Sequence, residues 1–306
     1  VSKFDDHLPL YRQAEIFARL GIDIPRSTLI DWCGAAVETV RPIAERIKRG
    51  VMTADRLHGD DTPIQVLDPS RRKRDPDLRA VKEGRIWVYV RDDRPWAGTS
   101  PPAAGYWFSP DHKEEHPHAQ LKDFHGILQA DAYGGFQKLY EPGLVGTPRI
   151  REAACWAHLR RDFHDVWTST GSPLAKEALD RIGRLYDIER EITGTSAENR
   201  SAVRQARSRP EAEAFRVWCD LHLPQLPGKQ DFAKAIRYAL RRWSSFVLFL
   251  DDGRVAIDNN PAERALRPVS VGRKNYLFAG SDGGGENLAD IMTIIETAKL
   301  NGVEPE

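Results

Sequence analysis

The apolar residues of this chain change period twice, and that change limits the folds open to it. From Leu8 to Gly50 they recur at helical spacing: Tyr11, Ala14, Phe17, Ala18 and Leu20 ahead of Gly21, then Leu29, Trp32, Cys33, Ala36, Val37 and Val40. After Gly50 the pattern shortens. Leu57 to Leu67, Arg85 to Arg91 with its Ile86-Trp-Val-Tyr-Val90 run, and Ala104 to Ser109 read as strands. His112 to Phe124 suits a helix that Pro117 kinks or begins, and Gly126 to Ala130 and Arg149 to Ala154 are two further strands. From Trp156 to about Leu250 the spacing is helical again. A last helix, Leu288 to Leu300, turns Leu288, Ile291, Met292, Ile295 and Ala298 to one side, where a sheet would sit. Three strands, a helix, a strand, a helix and a strand predict an α/β unit with a mixed sheet, with ligands at its strand ends and an all-helical block inserted late.

Local grammar adds detail. The turn Ile22-Asp-Ile-Pro25 joins two helices, the second capped by Ser27 or Thr28, and the pair fits a helix-turn-helix or an ordinary helical hairpin. Pro42 breaks the second helix, and Arg41 to Gly50 carries it on to a basic end. Arg71-Arg-Lys-Arg74 reads as a solvated hairpin tip or a phosphate contact. His112, His116, His118 and His125 match no tight zinc spacing and read as solvated. Lys234, Arg237, Arg241 and Arg242 cluster on a helix, as a wet face or a DNA-facing one.

Composition narrows the function classes. With 45 basic and 45 acidic residues the net charge is zero, which excludes a uniformly basic nucleic-acid coat and leaves local patches. No apolar run approaches a membrane span. Three scattered cysteines, Cys33, Cys155 and Cys219, form no disulfide framework and fit a reducing cytoplasm. The chain starts at Val1 rather than Met, which reads as an excerpt of a longer one.

The chemistry concentrates near the end, in Asp258-Asn-Asn-Pro-Ala-Glu-Arg-Ala-Leu-Arg-Pro268 and Gly272-Arg-Lys-Asn-Tyr-Leu-Phe-Ala-Gly-Ser281. Glu263 stands among Arg264, Arg267, Arg273 and Lys274 on a short helix and the turn after it, a setting that suits a metal ligand beside a phosphate. With Asn260 as N-cap and Pro261 at the first helical position, Glu263 equally closes a capping box.

These stretches, with Thr297-Ala-Lys-Leu-Asn-Gly-Val303, Gly59-Asp-Asp-Thr-Pro63, Asp131-Ala-Tyr-Gly-Gly-Phe136 and Cys155-Trp-Ala-His-Leu-Arg-Arg161, resemble the transposases of insertion-sequence family 66, in family order over nearly the whole chain. The resemblance implies a DDE transposase with a ribonuclease-H-like core that cuts element ends and joins the 3′-hydroxyl to target DNA. It implies Asp60, Asp131 and Glu263 as ligands of Mg2+ or Mn2+, two ions in all. Asp61 competes with Asp60, because the family's Asp-Glu-Thr-Pro is Asp60-Asp-Thr-Pro63 here, and Asp131 also reads as a turn residue. Cys155-x-x-His158 is similar to a signature of several DDE groups. It places His158 near the metal or scissile phosphate, with Arg160 or Arg161 lending charge; the pair otherwise braces the join of strand and helix. Too few ligands surround it for structural zinc.

Arg264, Arg267, Arg273 and Lys274 are expected on DNA phosphates, the partners being terminal repeats and target DNA, with self-association on DNA and no membrane. Residues 1–52 are expected as the helix-turn-helix-like module, 53–155 and 251–306 as the two parts of the catalytic core, and 156–250 as the helical insertion. The rival readings are a DNA-binding regulator with a degenerate core, and a ribonuclease-H-like nuclease without strand transfer.

Overall fold

β1 (Arg56–Leu67), β2 (Val81–Arg91) and β3 (Ala103–Ser109) pair antiparallel in succession, while β4 (Gly126–Ala130) and β5 (Ile150–Ala153) extend the other side of β1 in parallel. The sheet is therefore mixed, in the order β3-β2-β1-β4-β5. The computed structural model describes residues 1–131, 133–141 and 148–305; Ala132, inside the Asp131–Phe136 motif, lies outside the described residues. The α/β expectation holds, and all five strands fall where the period predicted them. β2 begins at Val81, four residues before the expected start, because Val81 to Gly84 pair with Ile64 to Leu67 across the ladder.

Side chains alternate across the central strands, and both faces are covered. Ile64, Val66, Ile86, Val88 and Val90 face α11 (Asn260–Tyr276) and α12 (Asp282–Leu300), packing with Ala262, Leu266, Val269, Leu288 and Met292. Leu57, Trp87 and Tyr89 face the opposite layer, with Val51, Leu121, Phe124, Phe136 and Leu139. Each such side chain, fully buried, contributes roughly 1.5–3 kcal/mol. β3 is an edge strand, and α12 satisfies part of that edge: Thr293 Oγ1 accepts from the Tyr106 amide at 2.9 Å and Thr297 Oγ1 from the Ala104 amide at 3.1 Å.

Ahead of the sheet lie α1 (Leu10–Arg19), which buries no residue, and α2 (Arg26–Met52). Two local expectations fail here. α2 starts after Pro25 with no side-chain cap, so neither Ser27 nor Thr28 caps it. Pro42 lies inside a continuous 27-residue helix. The lost backbone bond is offset because both halves pack on one partner: Val37, Ala44 and Val51 are buried at seven-residue spacing, and Arg41 and Lys48 both pair with Asp290 of α12. The basic tip Arg71–Arg74 is a short exposed helix, α3 (Ser70–Arg74).

Between β3 and β4 only α4 (Glu115–Gln120) is helical. Its histidines are not all solvated. His112 stacks on Tyr133 with ring centroids 4.1 Å apart, and His118 Nε2 lies 2.9 Å from the Gly135 carbonyl.

The helical block after β5 comprises α5 (Trp156–Thr170), α6 (Pro173–Ile192), α7 (Ala197–Val203), a π-helical turn at Arg204–Ser208, α8 (Arg209–His222), α9 (Asp231–Arg241) and α10 (Trp243–Asp251). Its core is aromatic: Trp156, Phe163, Phe215, Trp218, Phe232, Phe246 and Phe249. Trp156, three residues after β5, binds the block internally, donating Nε1–H to the Phe246 carbonyl of α10 at 2.9 Å, and its amide donates to the Ile257 carbonyl ahead of α11 at 3.1 Å. No described helix is long and apolar enough to cross a membrane.

Candidate catalytic site

β1 carries two adjacent carboxylates, and the pleat sends them to opposite faces. Asp61 turns to the Trp87 side, where Arg85 Nη1 and His112 Nε2 each lie 3.2 Å from it. Asp60 turns to the α11 side and accepts a hydrogen bond from the Asp61 amide at 2.8 Å. The parallel register pairs Gly59 with Ala130, so Asp60 and Asp131 come next to each other one step on, where the β1–β4 ladder ends. Glu263 comes from the first turns of α11, which packs on β1. His158 comes from the first turn of α5, directly after β5.

The four groups meet. His158 Nε2 lies 3.7 Å from Asp131 Oδ2 and 3.7 Å from Glu263 Oε1, and Arg161 Nη2 lies 3.6 Å from Glu263 Oε2. All three contacts exceed hydrogen-bond length. Glu263 Oε1 and His158 Nδ1 are buried with no hydrogen-bond partner among the described residues. Burial, and after it the neighbouring carboxylates of Asp61, Asp131 and Glu263, push the Asp60 carboxyl up to about 7, against the pull of the Asp61 amide. A set of carboxylate oxygens with one buried oxygen unsatisfied is a donor set for a hard divalent cation.

The capping box does not form. The N-cap of α11 is Asn259 and makes no side-chain cap bond. Asp258 instead receives the Asn260 amide at 3.2 Å and its side-chain Nδ2 at 2.7 Å, which leaves Glu263 free of a capping role. α11 also runs on through Pro268 to Tyr276, so Arg273 and Lys274 sit in its last turn rather than in a loop. Arg264, Arg267 and Lys274 are exposed. Arg273 is tied to the fold, donating to the Pro63 carbonyl and, at 3.2 Å, to Ser270 Oγ. The residues after it extend the sheet: Ala279 donates to the Gln65 carbonyl at 2.8 Å and accepts from the Leu67 amide at 2.9 Å.

Cys155, His158 and Glu263 each bring a ligand-type atom to within 4.8 Å of the others. Cys155 is buried and accepts the Asn259 amide at 3.2 Å, and burial pushes its thiol up to about 12, so it is a neutral brace rather than a thiolate ligand. His158 turns to the carboxylates. Arg160 and Arg161 are exposed and line a cleft of about 640 Å3 with His164, Tyr186, Arg190 and Asn260.

Two residues of this region escaped sequence reasoning. His58 is held neutral by burial, which pulls it down to about 4, and its Nδ1 donates to Asn259 Oδ1 at 3.2 Å. Asn259 was passed over because its neighbour Asn260 fitted the capping grammar better. The only signal was the Asn-Asn pair itself.

A family model described as the IS66 family of transposases matches residues 1–287. Among curated proteins, uncharacterized protein y4hP of Sinorhizobium fredii is 42% identical over 319 residues, covering 100% of this chain and 56% of that protein. Uncharacterized protein y4jD of the same organism is 39% identical over 306 residues, covering 100% of this chain and 58% of its own length. The chain thus spans a little over half the length of these relatives. No solved structure matches it. The match runs through β1, the end of β4, the start of α5 and the whole of α11, and by it the chain belongs to the IS66 family of transposases.

Proposed function

We propose that the chain is the catalytic part of a DDE transposase that cuts the terminal repeats of an insertion sequence and joins the freed 3′-hydroxyl to target DNA. The observation that carries this reading is the meeting of Asp60, Asp131, Glu263 and His158, which come from four elements far apart in sequence. The strand order, three antiparallel strands followed by two parallel to the first, supports the ribonuclease-H-like description. Residues 53–155 and 251–306 are then the core, 156–250 the insertion with its own aromatic centre, and 1–52 the helix-turn-helix-like module.

In this reading Asp60 rather than Asp61 is the first ligand, because Asp61 is engaged by Arg85 and His112 on the other face. Asp60, Asp131 and Glu263 would hold one or two Mg2+ or Mn2+ ions, which supply activation of the attacking oxygen and stabilisation of the leaving one. Water attacks the phosphorus in line, the 3′-oxygen departs with a proton and a 5′-phosphate remains; the freed 3′-hydroxyl then attacks a target phosphodiester, forming a new 3′–5′ linkage as the target's own 3′-oxygen leaves with the proton. His158 Nε2 stands between two of these carboxylates, 3.7 Å from each, where it would orient them. Arg264, Arg267 and Lys274 on α11, with Arg160 and Arg161 on α5, contact phosphates on either side of the scissile bond. Arg273 supports that surface through Pro63. Self-association on DNA and a cytoplasmic location belong to the same proposal.

The test is joining of a labelled end oligonucleotide to a target plasmid in Mg2+. Wild type should yield joined product, and Glu263→Gln should lose roughly 100-fold in rate, about 2.7 kcal/mol of barrier. Undiminished cleavage by that variant removes Glu263 from the site. Cutting without joining indicates a nuclease, and binding without cutting a regulator.

A further inference from the structure

Adjacent strands of one sheet bring Asp60, Asp131 and the start of the His158 helix together, but among the described residues no strand ladder joins them to the helix that carries Glu263. Asp60 lies on β1, His158 on α5 and Glu263 on α11. α11 meets β1 and β2 through Ala262, Ala265, Leu266 and Val269. Apolar packing of that kind is non-directional and fixes separation better than it fixes register along the helix axis. A metal site needs its donors held to about 0.5 Å, so something polar and directional has to lock the three elements to one another.

We infer that Asn259 is that lock, a positioning residue that sets the affinity of the acidic site for its divalent ion; the inference rests on the metal-site reading proposed above. The residue is completely buried. Its side-chain Nδ2 donates to the Gly59 carbonyl at 2.9 Å, one residue before Asp60. Its Oδ1 accepts from His58 Nδ1 at 3.2 Å, on the same strand. Its backbone amide donates to Cys155 Sγ at 3.2 Å, at the N-cap of α5 and three residues before His158. Its carbonyl accepts the Ala262 amide at 3.1 Å and the Glu263 amide at 3.3 Å.

One residue therefore bonds to the strand of Asp60, to the cap of the His158 helix and to the backbone of Glu263 itself. Every polar group it owns is used in doing so. Asn260, with the same side chain one position on, makes only local bonds to Asp258, so the amide chemistry alone does not confer the role. The buried polar groups are also mutually dependent. Removing the Asn259 side chain strips the Gly59 carbonyl and the His58 Nδ1–H of partners at once, which releases β1 from α11 beside two of the proposed ligands.

Supports of this kind typically carry 10–100-fold in metal affinity. The experiment titrates the full chain with Mn2+, following free Mn2+ by electron paramagnetic resonance, and compares wild type with Asn259→Ser and Asn259→Ala. Serine keeps a residue favoured at an N-cap but is too short to reach Gly59. Both variants are neutral, so net charge is unchanged. Circular dichroism and a metal-free melt accompany each titration. The expected result is Mn2+ binding weakened 10- to 100-fold in both variants with the helical signal intact. Wild-type Mn2+ affinity in either folded variant overturns the inference, even with a lowered melting temperature, since that is the mark of a purely structural asparagine. Loss of folding in both variants without metal overturns it as well. Failure of the underlying reading looks different: wild type itself then shows no Mn2+ binding that Glu263→Gln abolishes.

Discussion

Two clusters of charge in this molecule obey opposite rules. In the insertion, Glu189 of α6 lies between Arg200 of α7 and Arg204 of the π-helical turn, all three buried. Arg204 grips both carboxylate oxygens at 2.6 and 2.7 Å and donates to the Phe249 carbonyl at 2.7 Å. Arg200 reaches Glu189 at 3.2 Å, the Gly253 carbonyl at 2.8 Å and the Pro95 carbonyl at 2.7 Å. In the acidic site three carboxylates face one histidine and one exposed arginine, none of these contacts shorter than 3.6 Å, and a buried Glu263 oxygen is left over. A buried charge network with its partners in place specifies structure, whereas crowded carboxylates with a buried oxygen unsatisfied work against it.

The largest effect expected on this contrast is in the satisfied cluster. Arg204→Ala leaves Glu189 with only Arg200 and should cost about 3–5 kcal/mol in urea unfolding. A loss below about 1 kcal/mol would erase the difference between the two regions. In the acidic site the sign reverses. A carboxyl whose folded pKa lies above its unfolded value binds its proton more tightly in the folded state, so stability is lost as pH rises from 3.8 toward about 7. In EDTA, Asp60→Asn should therefore match wild type near pH 4 and be more stable at pH 8, by about 1–2 kcal/mol once the solvent still reaching Asp60 is allowed for. Equal stability at both pH values would mean the carboxylates do not strain one another.

The smallest effect belongs to Arg267, and it separates two arginines of α11. Arg273→Ala removes charged hydrogen bonds to Pro63 and Ser270 and should cost about 1–3 kcal/mol of stability. Arg267→Ala should stay within about 0.5 kcal/mol of wild type, while reducing the salt dependence of DNA binding by about one ion. If Arg267→Ala destabilises as much as Arg273→Ala, both belong to the fold and the phosphate surface shrinks to its neighbours.

The elements were legible wherever burial imposed a period on the sequence. Ile86-Trp-Val-Tyr-Val90 could only be a strand covered on both faces, and Leu288, Met292 and Ile295 could only be a helix lying on it. Grammar confined to a few neighbouring residues served less well. Pro42 did not break α2, because Asp290 and the seven-residue spacing of Val37, Ala44 and Val51 outweigh one lost backbone bond. The capping box at Glu263 lost to an Asp258–Asn260 turn of similar local merit.

Sequence alone determined the α/β class, the order of the elements and the late helical block, and family resemblance singled out Asp60, Asp131, His158 and Glu263 as the candidates. Those features are written in spacing and residue type, which the chain carries before it folds. That Asp60 rather than Asp61 faces Glu263 depended on which face of β1 meets α11. The approach of Cys155 and His158 to Glu263 depended on how the start of α5 packs against α11, and the binding of Arg273 by Pro63 on how far α11 runs. Asn259 acquires its partners from β1 and from the start of α5 only when both are packed against it. Hydrogen bonds between elements distant in sequence leave no period behind them, so only the tertiary structure could decide these.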